Sequence, residues 1–387
     1  MNHFLLAREL GTDHPNILKN AELTRRTLAI ELCPNKDVAR EHHGTVSCLE
    51  IENVEGRYLL SGGADSSICL YDLEEPLNQN RIRISAISKI PRNYGHRYGV
   101  SGVSWYPFDT GLFITSSFDH TIKIWDTNLM KEACIFDLEA KVYSHAISPI
   151  AEHCLVASAT SDPRIRLCDL RTGAFTHTLP GHHGTVMTVR WSPTDEYLLA
   201  SGASDRTIRF WDIRRASPCL ISLDQHNTGQ EPLSPTNTAH NGIVNGLAFT
   251  PDGYHLLSLG LDEKLRLWDL SSGARNTLVN YGPHIRNKYP HVLLPCISPP
   301  EACRRPLVFQ PSDDRQILVF ELYDGRLVKR LRGSYGRVTS IAWRPGKLEL
   351  YTGGTDNEVL VWAPFFPEDE REKKIQEAQK DTWSDSD

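Results

Sequence analysis

The sequence predicts an all-β fold, a seven-bladed propeller preceded by an N-terminal helix-loop-helix, and three observations carry that prediction. Along the 387 residues an Asp recurs seven times with a bulky, usually aromatic residue six positions later and, in most copies, an acid after that. Alternating segments rich in β-branched residues accompany the copies, as half-buried strands require. Trp125, Cys168 and Trp211 follow one another at the roughly 40–45-residue interval of a four-stranded repeat unit.

Taken in order, Asp65 leads to Tyr71-Asp72, Asp119 to Trp125-Asp126, Asp162 to Cys168-Asp169 and Asp205 to Trp211-Asp212. Asp262 leads to Trp268-Asp269, Asp314 to Phe320-Glu321 and Asp356 to Trp362-Ala363. A His precedes the alternating strand of the better copies: His96 before YGVSGVSWYP, His182 before TVMTVRWSP and His240 before IVNGLAFTPDG. Within one unit VMTVRW reads as the first strand, YLLASGAS as the second and TIRFWDI as the third. The Asp then falls in the tight turn between the second and third strands, where its carboxylate accepts backbone N–H groups. The His ring and the Trp indole supply donors that tie neighbouring strands together. Residues that recur in every good repeat read as structural, and seven copies of this WD repeat mean seven blades. The copy at Asp314 lacks both His and Trp and is the poorest.

The ring must also close. After Trp362 come Pro364, Pro367 and the charged run EDEREKK, so no fourth strand follows the last copy. Residues 27–32 (TLAIEL) read as a strand with nothing before it to pair with. Completing the last blade with this strand removes an open edge. The expected organisation is a docking segment at 1–25, the propeller at 26–366 and a charged tail at 367–387, where Ser384 and Ser386 lie among acids.

Composition narrows the function. The 42 Lys and Arg against 48 Asp and Glu give a formal net charge of −6 at pH 7, which argues against nucleic-acid binding by bulk electrostatics. No apolar run approaches the roughly 20 residues that cross a bilayer, and Arg8, Glu9 and Asp13 interrupt the first apolar stretch, unlike a signal peptide. Nine cysteines without paired spacing fit free thiols in a reducing compartment. A soluble intracellular protein is expected.

Three features exceed what a ring needs. Asn2 suits a helix cap and Gly11 a helix end, and Asp13 with Pro15 starts a second helix carrying Ile17, Leu18, Ala21 and Arg25 on one face. With Phe4, Leu5 and Leu6 this pair has apolar surface to cover, against the ring's rim or in a partner's groove. Arg81, Arg83, Lys89, Arg92 and Arg97 form a run without acids, and Arg326, Lys329, Arg330, Arg332 and Arg337 form another. The insertion at 283–305 adds Arg286, Lys288, Arg304 and Arg305. These residues suit either a solvated surface or a face for an acidic partner or nucleic acid, the latter without stacking aromatics in any single motif. Finally, Asp212 is followed by Ile213 and Arg214, an Arg placed to reach a partner's carboxylate or carbonyl. No phosphate loop, nucleophile elbow or zinc-protease motif is present, and His284, His291, Cys296 and Cys303 match no ligand spacing. A binding protein without cofactor or metal is expected, not an enzyme.

Segments outside the repeat consensus carry a family resemblance. VEGRYLLSGGADSSICLYDLE (54–74), WYPFDTGLFITSSFDHTIKIWDTN (105–128), WDIRRASPCLISLDQHN (211–227), NTLVNYG (276–282) and the ending DTWSDSD resemble the Cockayne syndrome group A WD-repeat family. The resemblance implies a substrate receptor of a cullin–RING ubiquitin ligase, acting in the nucleus in transcription-coupled nucleotide excision repair. It further implies that Phe4, Leu5, Leu6, Arg8, Ile17, Leu18, Ala21 and Arg25 enter the adaptor, damage-specific DNA-binding protein 1, with Asp212 and Arg214 at or near the same contact. Other loops would meet stalled RNA polymerase II, the Cockayne syndrome group B translocase and the UV-stimulated scaffold protein.

Overall fold

Seven antiparallel four-stranded sheets follow one another along the chain in a computed structural model. It describes residues 16–366 apart from 75–81, 151, 216, 229–230, 232, 235–236 and 304. The blades span 46–90, 100–137, 142–179, 186–222, 244–276 and 296–332, and blade 7 joins 338–364 to Ile30–Leu32. In each blade the strands run a to d from the axis outward, and the a strands of neighbouring blades pack together except between blades 5 and 6.

The core is divided among the seams between blades. Seven apolar clusters are each shared by two neighbours, from Leu60, Val100 and Trp125 between blades 1 and 2 to Val46, Ala342 and Tyr351 between blades 7 and 1. Alternation explains this: each strand has two faces, and both meet a neighbouring blade, so both must be largely apolar. In blades 1–5 and 7 strand a opens on a buried Val followed by a bulge, as at Val186/Thr188, which sharpens the twist between blades.

Inside a blade the recurring polar residues form one unit. In blade 5 His240 Nδ1 lies 2.9 Å from Asp262 and Nε2 lies 2.7 Å from Ser258 Oγ, which also accepts the Trp268 indole N–H at 2.8 Å. His96, Asp119, Thr115 and Trp125 repeat this in blade 2, and His182, Asp205, Ser201 and Trp211 in blade 4. Blade 1 keeps His42, Asp65 and Ser61 but has Tyr71 in place of Trp. Burial works against ionisation of Asp119, Asp205 and Asp262, yet the paired His holds each carboxyl well below the ordinary range, helped at Asp119 and Asp205 by the turn Thr and the loop N–H and at Asp262 by Arg266. Such a carboxylate stabilises the fold fully above its unfolded value of about 3.9, and that contribution is lost as pH falls below it. The melting temperature is therefore expected to fall steeply below about pH 4, and less steeply in Asp205→Asn, by scanning fluorimetry across pH.

Blade 6 departs from the rule. The left-handed residue Arg315 follows Asp314, as Glu263 follows Asp262. The carboxylate that accepts the N–H of the preceding loop, however, is Asp313, from Lys288 N at 2.7 Å. Buried Asn287 stands before that loop residue, where blade 5 has His240, and bonds Asn245 and the Gly260 carbonyl. The insertion it belongs to runs back along strand a of blade 5, where Leu293 N donates to Asn245 O. A Cβ at Gly246 would meet the Leu293 carbonyl oxygen at 2.2 Å. Gly246→Ala is expected to cost about 1–3 kcal/mol in urea unfolding, because backbone on both sides must shift.

The N-terminal expectation needs correcting. Among the described residues the N-terminal region contains one short helix, α1 (Asn16–Leu28), not a helix-loop-helix. The expected first helix, with Phe4, Leu5, Leu6 and Arg8, lies outside the described residues. Helix α1 also runs past Arg25 into the segment expected to be strand. Thr27 is kept helical with its hydroxyl 2.8 Å from both the Leu23 and the Ala302 carbonyls, which share its one proton. Only Ile30–Leu32 remain extended, as strand d of blade 7, with Ile30 opposite Pro364 and Leu32 opposite Trp362. At the same seam Lys36–Val38 pairs in parallel with Ile82–Ile84. Lys36 and Arg344 there each bind the Glu349 carboxylate at 2.8 Å.

A candidate protein-docking face

Strand direction sorts every connection to one of two faces. Loops from d to a and turns from b to c share one face, and turns from a to b and from c to d share the other. Because Ile30 pairs with the end of strand c, the chain enters blade 7 from the a–b face, so α1 belongs to that face. Its last turns are seated there: Thr27 is buried against Ala302, and the Leu28 carbonyl accepts Lys329 Nζ at 3.2 Å. The turn at Gly346–Glu349, Pro364 and Phe366 form with α1 a groove of about 660 Å3 that also touches Lys19 and Leu23. Ala21 and Arg25 are exposed, and Arg25 lies over the Phe366 ring at 4.2 Å. Ile17 and Leu18 lie in α1, but their side chains are outside the described residues.

Arg214 is in the c–d turn of blade 4 and so shares the face with α1, several blades away. Asp212 holds its guanidinium with two bonds of 3.0 Å, and the Tyr197 ring lies under it at 4.4 Å. Asp212 is itself buried, and the paired Arg214 keeps its carboxyl low. The Arg is thus oriented before any partner arrives, while its side chain stays 57% exposed.

Sequence reasoning missed what surrounds these groups. Val54, Phe108, Leu129, Ile150, Tyr254 and Tyr323 are exposed, and all lie in a–b or c–d turns, hence on this same face. Each is the one large apolar side chain exposed in its turn, and only sorting the turns by face would have joined them.

The basic residues divide between the faces: Arg305 and Arg326 lie in the a–b and c–d turns of blade 6, on the face of α1. Arg92, Arg97, Arg286 and Lys288 are exposed in the d–a loops, on the opposite face. Arg286 is paired with Glu263 at 3.0 Å. Lys89 ends strand d of blade 1 and donates to the Glu41 carbonyl. Arg83 sits in the accessory ribbon, and Arg81 is outside the described residues. Exposed Tyr94, Tyr98, Phe118, Tyr289 and Tyr335 share that face. RNYGHRY and RNKY already interleave Tyr94, Tyr98 and Tyr289 with Arg92, Arg97, Arg286 and Lys288, a signal that sequence reasoning overlooked. Arg337 lies over the Tyr289 ring at 3.9 Å. Among the described residues no three His, Cys, Asp or Glu groups converge as a metal site, and no helix is long and apolar enough to cross a membrane.

Comparison with known proteins agrees with this architecture. The WD domain, G-beta repeat family matches residues 36–72, 88–126, 173–212, 233–269 and 325–363. Most of blades 3 and 6 is unmatched, the blades in which Cys168 and Phe320 replace Trp. The WD repeat-containing protein ATCSA-1 of Arabidopsis thaliana is 36% identical, with 98% of each chain covered. The ribosome biogenesis protein WDR12 homologs of Aedes aegypti and Anopheles gambiae are each 31% identical over 49% of this chain and 46% of their own. Similarity that spans both full chains, linkers included, is of a different order from shared repeats: the chain belongs to the Cockayne syndrome group A-like WD-repeat family.

Proposed function

We propose that this chain is the substrate receptor of a nuclear cullin–RING ubiquitin ligase in transcription-coupled nucleotide excision repair. In this reading it holds damage-specific DNA-binding protein 1 on the a–b face and presents the d–a face to repair factors. The observation that carries it is the gathering of α1, the oriented Arg214 and the exposed apolar turn residues on one face of a Cockayne syndrome group A-like ring. The receptor has no chemistry of its own. It raises the effective concentration of a substrate's lysines near the ligase. Stalled RNA polymerase II, the Cockayne syndrome group B translocase and the UV-stimulated scaffold protein are the partners assigned to the other surfaces.

The test is biolayer interferometry of the full chain against the purified adaptor. Phe108→Asp with Leu129→Asp should weaken binding about 100-fold, and Arg214→Ala about tenfold. Unchanged affinity in both, with melting temperature preserved, moves the contact off this face. A second reading rests on the aromatic residues of the d–a face and on Arg92 and Arg97, whose side chains have no ion-pair partner among the described residues, which suit a single-stranded nucleic acid. Salt-dependent binding of a labelled oligonucleotide by the free chain, lost in Arg92→Glu with Arg97→Glu, would favour it.

A further inference from the structure

The a strands share one register, set by the opening Val and its bulge, and the fifth residue of each reads Glu50, Ser104, Ala146, Arg190, Ala248 and Ala342 in blades 1–5 and 7. Four blades place a small residue at this position. Blades 1 and 4 place a carboxylate and a guanidinium. Both line a chamber of about 440 Å3 between the inner strands, within the size range of small-ligand sites.

Neither charge is neutralised by contact with the other. The Glu50 carboxylate accepts the Trp105 N–H from blade 2 at 2.8 Å. Arg190 has no hydrogen-bond or ion-pair partner among the described residues, although it and Glu50 attract each other across the chamber. Burial raises the Glu50 carboxyl to about 7 against that attraction, as befits a carboxylate short of counter-charge. Blade 3 adds His145, 3% exposed, whose Nδ1 lies 2.8 Å from Ser116 Oγ and whose Nε2 is unpartnered. Burial and the nearby Arg190 keep this ring neutral, with a value of about 3. The hydroxyls of Ser144 and Ser340, also unpartnered, line the same space. Trp191, Phe249 and Trp343 make an apolar wall, and Asn53, Pro193 and Pro251 carry the chamber to the a–b face.

Opposite charges held apart in a half-enclosed chamber are costly, and a ligand that presents an anion to one and a cation to the other removes that cost. We propose that the chamber binds a small zwitterion of the amino-acid class, its carboxylate on Arg190, its ammonium on Glu50 and an apolar side chain against Trp191, Phe249 and Trp343. The proposal does not depend on the ligase reading, and adaptor binding by the same variants tells the two apart.

The experiment is titration calorimetry and thermal melting of the full chain with phenylalanine and leucine. Phenethylamine, which lacks the carboxylate, and hydrocinnamate, which lacks the ammonium, are the one-charge controls. Saturable binding of an amino acid, at least about tenfold weaker for both controls, is expected. Glu50→Gln and Arg190→Gln should each weaken phenylalanine binding about tenfold, and Glu50→Arg with Arg190→Glu should restore it. Should those variants fail to fold, the controls on the natural chain decide. No saturable binding of either amino acid at millimolar concentration overturns the proposal, as does equal binding of the one-charge controls.

Discussion

A chain lacking residues 1–25 will bind damage-specific DNA-binding protein 1 at least about 100-fold more weakly than the full chain, with its propeller intact. The segment removed carries Phe4, Leu5, Leu6, Ile17 and Leu18, the apolar side chains expected to anchor in the adaptor. What remains includes the groups that seat the chain on the ring. Thr27 still reaches Ala302, and Ile30–Leu32 still complete blade 7. Interferometry gives the affinity, and an unchanged melting temperature shows that closure survived. Equal binding by both chains would move the contact to the ring around Arg214. Binding by neither would leave a WD-repeat scaffold without this adaptor.

Asp262→Ala and Asp314→Ala, equivalent positions of the repeat, should differ by most of the stability of a blade. Asp262 is almost buried and serves His240 Nδ1, Arg266 Nη1 at 2.9 Å and the Asn241 N–H at 3.1 Å. Its removal leaves His240 Nδ1 and Arg266 Nη1 without their carboxylate in the seam beside Trp268, while the exposed Asn241 N–H can turn to water, at a cost of about 3–5 kcal/mol in urea unfolding. Asp314 is exposed, with one side-chain bond, from Gln316 at 3.2 Å. Its loss should stay within about 0.5 kcal/mol. Similar costs at both sites would mean that the His and Asp network adds nothing beyond a turn.

The recurring Asp and aromatic pairs made the seven blades legible, because each blade solves the same local problem. A turn carboxylate, a donor from His and a donor from Trp lie within one repeat, so their spacing survives in the chain. Blade 6 was least legible for the same reason. Asn287 and Asp313 there do related work through an insertion, and no spacing rule announces them. The N-terminal helix was misjudged at Thr27 because its fate depends on the Ala302 carbonyl, 275 residues away. A β-branched residue reads as strand until that distant acceptor is known.

Residue order along the chain thus settled the repeat, the blade number and the family, all properties of contacts made inside one unit or of similarity along the whole chain. Tertiary structure alone decided which side chains share a face. Val54 and Tyr323 are far apart in the chain and share a face only because a–b and c–d turns point the same way, and Glu50 and Arg190 line one chamber only because the ring brings equivalent positions of the repeat to the same height around one axis. A docking surface and a charged chamber are therefore sums over blades, and such sums leave no mark on any single repeat.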